Sequence, residues 1–140
     1  MNEMLALGKA YLASQPFSQL MGTELLKFSE GDVELKIPIR AELMQQHGFV
    51  HGGVISYAVD NALTFVGGSV LGPDVVTSEF KINYVKPVMG DAIHACASVV
   101  HAGKNQAVCR CDLFASNTGE KSLCAVAQGT ISRRAQSHSG

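Results

Sequence analysis

The feature that most constrains this chain is an apolar stretch from Val54 to Val70, rich in Ala, Val, Leu and Ile and opened by Gly52-Gly53. Its length and composition predict a largely buried helix from about Gly53 to about Val66, with Gly67-Gly68 marking its end. A helix enclosed by a sheet should be apolar all round. This one carries Asp60-Asn61 near its middle. An ionised carboxylate among apolar neighbours is costly unless it is paired or hydrogen-bonded. Asp60 therefore has a partner, faces a cleft or does chemistry. Ser56, Tyr57, Leu63 and Thr64 share its face of the helix. The Thr64 hydroxyl is placed to orient a water beside the carboxylate, and the ordinary alternative is a back-bond to a helix carbonyl.

The start of the helix suggests a second chemical use. His51-Gly52-Gly53 sets backbone N–H groups, without obstructing side chains, at a helix N-terminus. Free donors and partial positive charge gather there. Such a site can hold a carbonyl oxygen as it becomes an oxyanion, and glycines allow close approach. Gly52 and Asp60 are eight residues apart, so they lie roughly 12 Å apart along the axis. A base must come within about 3 Å of its target. One helix cannot serve one substrate carbon with both groups. Two antiparallel helices across a two-fold can, so an active site here requires at least a dimer.

The remaining pattern is mostly strand. Residues 3–14 place Met4, Leu5, Leu7, Tyr11 and Leu12 mostly along one side of a short amphipathic helix, which Pro16 ends. Phe17 to Gly22 reads as a turn. Val33 to Ile37 alternates strictly, with Thr23 to Ser29 as its hairpin partner. After the Gly72-Pro73-Asp74 turn, strands are expected at Val75–Val85, Ala92–His101, Gln106–Ala115 and Ser122–Arg133, separated by turn residues. The expected class is α+β, an antiparallel sheet with one long helix packed on it. Residues 1–134 are expected to form one domain and 135–140 a frayed, disordered tail.

Composition narrows the function classes. The chain has 140 residues, 46% of them hydrophobic, which supports a packed core; Trp is absent, so the core is aliphatic. A net charge of −1 with 16% charged residues argues against nucleic acid as the main partner. Cys96, Cys109, Cys111 and Cys124 form no zinc pattern and read as free thiols in a reducing compartment. His47 and His51 have metal-ligand spacing but no evident third ligand, so no metal is assigned. No targeting segment is visible and no stretch of roughly 18 to 20 apolar residues is counted, so a cytoplasmic protein without membrane contact is expected.

The segment from Gln45-Gln46-His47-Gly48-Phe49-Val50-His51-Gly52-Gly53 to Asp60-Asn61-Ala62 resembles the hotdog-fold thioesterases, specifically their phenylacetyl-CoA, PaaI-type group. Gly22, Pro38, Thr77-Ser78-Glu79-Phe80 and Tyr84-Val85-Lys86-Pro87-Val88 with Gly90-Asp91 extend the similarity over nearly the whole chain. The resemblance implies a helix wrapped by a sheet, a homodimer or homotetramer, and hydrolysis of acyl-CoA to free acid and CoA with no cofactor beyond the substrate's own CoA. It implies the oxyanion N–H at Gly52, an acidic base or nucleophile at Asp60, help from a hydroxyl at Thr64 or Ser78, and a His51 hydrogen bond near the thioester. Many members carry Asn where this chain has Gln45, whose role would pass through a longer side chain. Gly53 and Tyr57 are expected to contact substrate, and Phe49, Tyr57, Phe65 and Met89 to shape the acyl pocket. Lys81, Lys86, Lys104, Arg133 and Arg134 are candidate cations for CoA phosphates. Rival readings are a hotdog hydratase or dehydratase of acyl thioesters and a non-catalytic acyl-CoA-binding module.

Overall fold

The computed structural model describes residues 3–135. The tail expected at 135–140 lies, apart from Ala135, outside the described residues. Two helices, α1 (Glu3–Ala13) and α2 (Pro16–Met21), precede the hairpin β1 (Glu24–Ser29) and β2 (Asp32–Pro38). A short 3-10 turn (Ala41–Leu43) leads to the long helix α3 (Gly52–Leu71). Then come β3 (Val75–Tyr84), β4 (Ala92–Ala102), β5 (Gln106–Asn117) and β6 (Glu120–Arg133). All pairings are antiparallel, in the order β1-β2-β4-β5-β6-β3.

Alternation builds the concave face. Val33, Leu35 and Ile37 of β2 and Cys109, Cys111 and Leu113 of β5 point at α3 and are fully buried. Val59, Ala62, Leu63 and Val66 of α3 meet them, each with no exposed area. The expected wrapped-helix architecture of a hotdog fold is thus the one observed.

Three local expectations fail, each for a tertiary reason. Gly67-Gly68 does not end α3, which runs to Leu71 and stops at Gly72. A Cβ on Gly67 would meet Ile131 Cβ at 2.5 Å, so that glycine is a packing residue that lets helix and sheet approach. Phe17 to Met21 is helical, with Pro16 at its start and Gly22 (φ 73°) closing it. In α1 Leu12 is buried and Leu5 packs on the core as expected, with Gly8 docked between them, whereas Leu7 is 56% and Tyr11 43% exposed. A Cβ on Gly8 would meet Phe28 Cδ2 at 2.5 Å, so α1 rests on β1 at its glycine.

The helix α3 is also long and apolar enough to cross a membrane by length and composition, contrary to expectation. Here it is the core helix of the sheet. On the convex face, His94 bridges strands, with Nδ1 3.0 Å from Glu34 Oε2 and Nε2 3.2 Å from Ser116 Oγ.

The four cysteines are free. Burial pushes the Cys109 thiol up to about 11, from an ordinary 9.0, and raises Cys111 further. Between those values an unfolded Cys109 loses its proton and the folded one keeps it. Stability is therefore expected to fall as pH rises from about 9 towards 11, by at most about 1.4 kcal/mol per pH unit for this thiol. Denaturant unfolding across that range measures the slope, and Cys109→Ala should remove this thiol's share of it, leaving that of Cys111.

Candidate active site

Asp60 sits half-buried in the middle of α3, on the face turned to β3. Thr77 Oγ1 donates to Asp60 Oδ1 at 2.6 Å. Thr64 Oγ1 donates to the Asp60 carbonyl at 2.8 Å and lies 3.0 Å from Thr77 Oγ1. Thr64 thus makes the ordinary back-bond and reaches the carboxylate only through Thr77. One carboxylate oxygen is oriented by a hydroxyl, and Oδ2 has no protein partner among the described residues.

The hydroxyl on the carboxylate is Thr77, not Ser78. A bulge between Thr77 and Glu79 leaves Ser78 unpaired. Before it Val75 and Thr77 turn towards the helix, and after it Phe80 and Ile82 do. Ser78 points outward, its Oγ 2.5 Å from Ser132 Oγ. Strict alternation cannot foresee this change of parity.

At the start of α3, His51 is the N-cap. Its Nδ1 accepts the Gly53 N–H at 2.8 Å, and its carbonyl accepts the Val54 N–H at 3.0 Å. The ring therefore carries its hydrogen on Nε2. Gly53 is committed to this cap, so its N–H is not available to a substrate. The Gly52 N–H has no acceptor among the described residues. It borders a cleft of about 320 Å³ lined by Phe49, Ile55, Tyr84, Lys86 and Val88. Tyr84, part of the segment that carries the resemblance but given no role there, lies against the helix start with its hydroxyl 3.4 Å from the Gly52 carbonyl.

Gln45 and Tyr57 are occupied elsewhere. Gln45 Oε1 accepts the His47 N–H, and its backbone N–H donates to the Phe49 carbonyl at 2.8 Å. Its Oε1 closes its own loop, around Gly48 at φ 87°. The Tyr57 hydroxyl donates to Ser18 Oγ at 2.6 Å, accepts from Thr23 Oγ1 at 2.7 Å, and meets Asn61 Nδ2 at 3.2 Å. Its ring meets Phe17 edge-on at 5.0 Å. Tyr57 and Asn61 pin α2 to α3.

The cations divide by position. Arg133 Nε donates to the Leu71 carbonyl at 2.8 Å, at the far end of α3. Arg134 Nε is 2.8 Å from Asp74 Oδ1. Lys81 lies with Arg110 and Asn83 on the convex face, and Lys104 lies in the turn between β4 and β5. Among the candidates, Lys86 lines the cleft beside Gly52.

A family model described as the thioesterase superfamily matches residues 47–122. The crystal structure of a thioesterase family protein from Silicibacter pomeroyi is similar, with a TM-score of 0.84 and 31% identity, over 88% of this chain and 92% of that one. The PaaI protein from the phenylacetic acid degradation operon of Escherichia coli shares the fold, with a TM-score of 0.80 and 22% identity, over 93% of this chain and 94% of that one. The Escherichia coli medium/long-chain acyl-CoA thioesterase YigI is 24% identical over 76% of this chain and 79% of that protein.

Proposed function

The chain belongs to the thioesterase superfamily, and from that premise we propose that it hydrolyses acyl-CoA thioesters at sites shared between two copies. The observation that carries the reading is the pairing on α3 of a free N–H at Gly52 with a hydroxyl-oriented carboxylate at Asp60. The thioester carbonyl rests on the Gly52 N–H of one copy. Asp60 of the other takes a proton from water through Oδ2, and the oxygen adds to the carbonyl carbon. The negative charge on the carbonyl oxygen is held by the Gly52 N–H and the positive end of α3. Collapse breaks the C–S bond, and the thiolate of CoA leaves with the proton held by Asp60. Lys86 is the side chain suited to a CoA phosphate, and His51 Nε2–H donates beside the thioester.

The shared site follows from distance. Asp60 and Gly52 lie on one unbroken helix, roughly 12 Å apart along it. Among the described residues the edge strand β3 has one neighbour, β6, which leaves its other ladder edge to the same strand of a second copy. That pairing brings two α3 helices together near Thr77.

Two tests separate this reading from its rivals. Thiol release from a panel of acyl-CoAs is expected, without the absorbance change of enoyl hydration that a hydratase gives. A shared site further predicts that two inactive variants, Asp60→Asn and Gly52→Pro, regain activity when unfolded and refolded together. Half the dimers are then mixed and each holds one intact site, so activity should approach roughly a quarter of wild type. No recovery, with mixed dimers demonstrated, would mean that the two groups do not act together across the two copies.

A further inference from the structure

The helix α1 leaves an apolar surface that packing does not explain. It docks on β1 through Gly8 and Leu12, and Leu7 and Tyr11 remain exposed. These two side chains, with Met4, form one wall of a groove of about 280 Å³. The other walls are mainly Phe28, Phe65, Gly68 and Val75, with Gln15 and Thr64 as polar members, and none of the described lining residues is charged. Phe28 and Phe65 meet edge to face at 5.5 Å in its wall.

The groove adjoins the candidate site. Thr64 lines it, and the same Thr64 hydroxyl is 3.0 Å from Thr77 Oγ1, which holds Asp60. We propose that this groove between α1 and α3 binds the acyl group of the substrate as an unbranched aliphatic chain of medium length, with Leu7, Tyr11 and Gly68 setting how long a chain fits. The proposal rests on the thioesterase reading for the thioester itself. The mostly apolar lining disfavours charged and strongly hydrated acyl groups, which would lose water there without gaining a charged partner among the described residues. Its shape favours a chain over a ring. From Met4 to Tyr11 the α1 stripe runs roughly 10 Å, longer than one aromatic ring and matched by an extended chain.

Gly68 controls the groove because it leaves space there. A Cβ on Gly68 would meet only Val75 Cγ2, at an ordinary 3.7 Å. A longer side chain at this position projects from α3 into the groove without displacing backbone. Leucine there also favours helix over glycine.

The experiment compares Gly68→Leu with wild type in two readouts. The first is kcat/KM for acetyl-, octanoyl- and phenylacetyl-CoA. The octanoyl-to-acetyl preference is expected to fall at least roughly tenfold in Gly68→Leu, mainly through KM for octanoyl-CoA. The second is calorimetric binding of the free acids butanoate, hexanoate, octanoate and decanoate, which needs no turnover. Wild-type affinity should rise roughly two- to fourfold per added methylene, and Gly68→Leu should lose that dependence. Leu7→Gln, at an exposed position that the fold does not need, should weaken the same dependence. A preference for phenylacetyl over octanoyl chains, or a chain-length dependence untouched by both variants, would overturn the proposal. So would a change of oligomeric state on plugging, with selectivity unaltered, which would make the groove a contact between copies. Chain-length-dependent binding without hydrolysis of any acyl-CoA would support the groove and remove the thioesterase reading.

Discussion

Asparagine in place of Asp60 is expected to lower kcat for acyl-CoA hydrolysis by about 10³-fold, within the usual range for removing a positioned base. The substitution isolates chemistry from folding. Asn has the same shape, and its carbonyl oxygen can accept the hydrogen bond that Thr77 gives to Asp60 Oδ1. The carboxylate takes part in no ion pair with the described residues, so none is orphaned. The unfolding midpoint should stay close to wild type. What disappears is the ability to take a proton at Oδ2. Substrate binding should persist, so the loss belongs in kcat rather than KM. Wild-type turnover in Asp60→Asn would remove Asp60 from the chemistry.

Gly52→Pro should cost about 10² to 10³ in kcat through loss of one oxyanion donor, again with the fold retained. Proline is an unusually clean probe at this position. Gly52 is the first residue of α3, where proline is favoured because that N–H has no intrahelical acceptor. The residue before a proline must be extended, and His51 already is, at φ −61° and ψ 136°. A Cβ on Gly52 meets the Tyr84 ring at an ordinary 3.7 Å. The change therefore removes the N–H, putting the ring Cδ in the place of its hydrogen, while the helix start can keep its backbone conformation. Gly52→Ala adds the same Cβ but keeps the N–H, so it should retain most activity. If proline and alanine behave alike, crowding against Tyr84 rather than the N–H is responsible. Circular dichroism and the unfolding midpoint report whether α3 survives in both.

The architecture was readable because it depends on local periodicity. The alternation at Val33 to Ile37, and turn residues such as Gly103-Lys104-Asn105, placed the strands within a few residues of their observed ends. A long apolar segment interrupted by one carboxylate marked both the core helix and the residue in it that needs a partner. Glycines misled where their role was tertiary. Gly67 looks like a helix stop in isolation, yet it is required by Ile131, which is distant in sequence. The loop before α3 was opaque for a similar reason. Gln45 carries a side chain that can reach many partners, and its short bond to the His47 N–H is a property of the folded turn.

For this protein, the sequence by itself determined the wrapped-helix architecture, the family, and the placement of Gly52 and Asp60 too far apart on one helix to act together. Those follow from residue spacing, which a chain carries with it. The tertiary structure decided which groups surround them. A bulge at Ser78 turned Thr77 onto the carboxylate, the His51 ring took the Gly53 N–H and left that of Gly52 free, and α1 settled on Gly8 with Leu7 and Tyr11 facing a groove. Each outcome depends on contacts between distant segments, where a shift of one residue or the lack of one Cβ changes which side chain meets which.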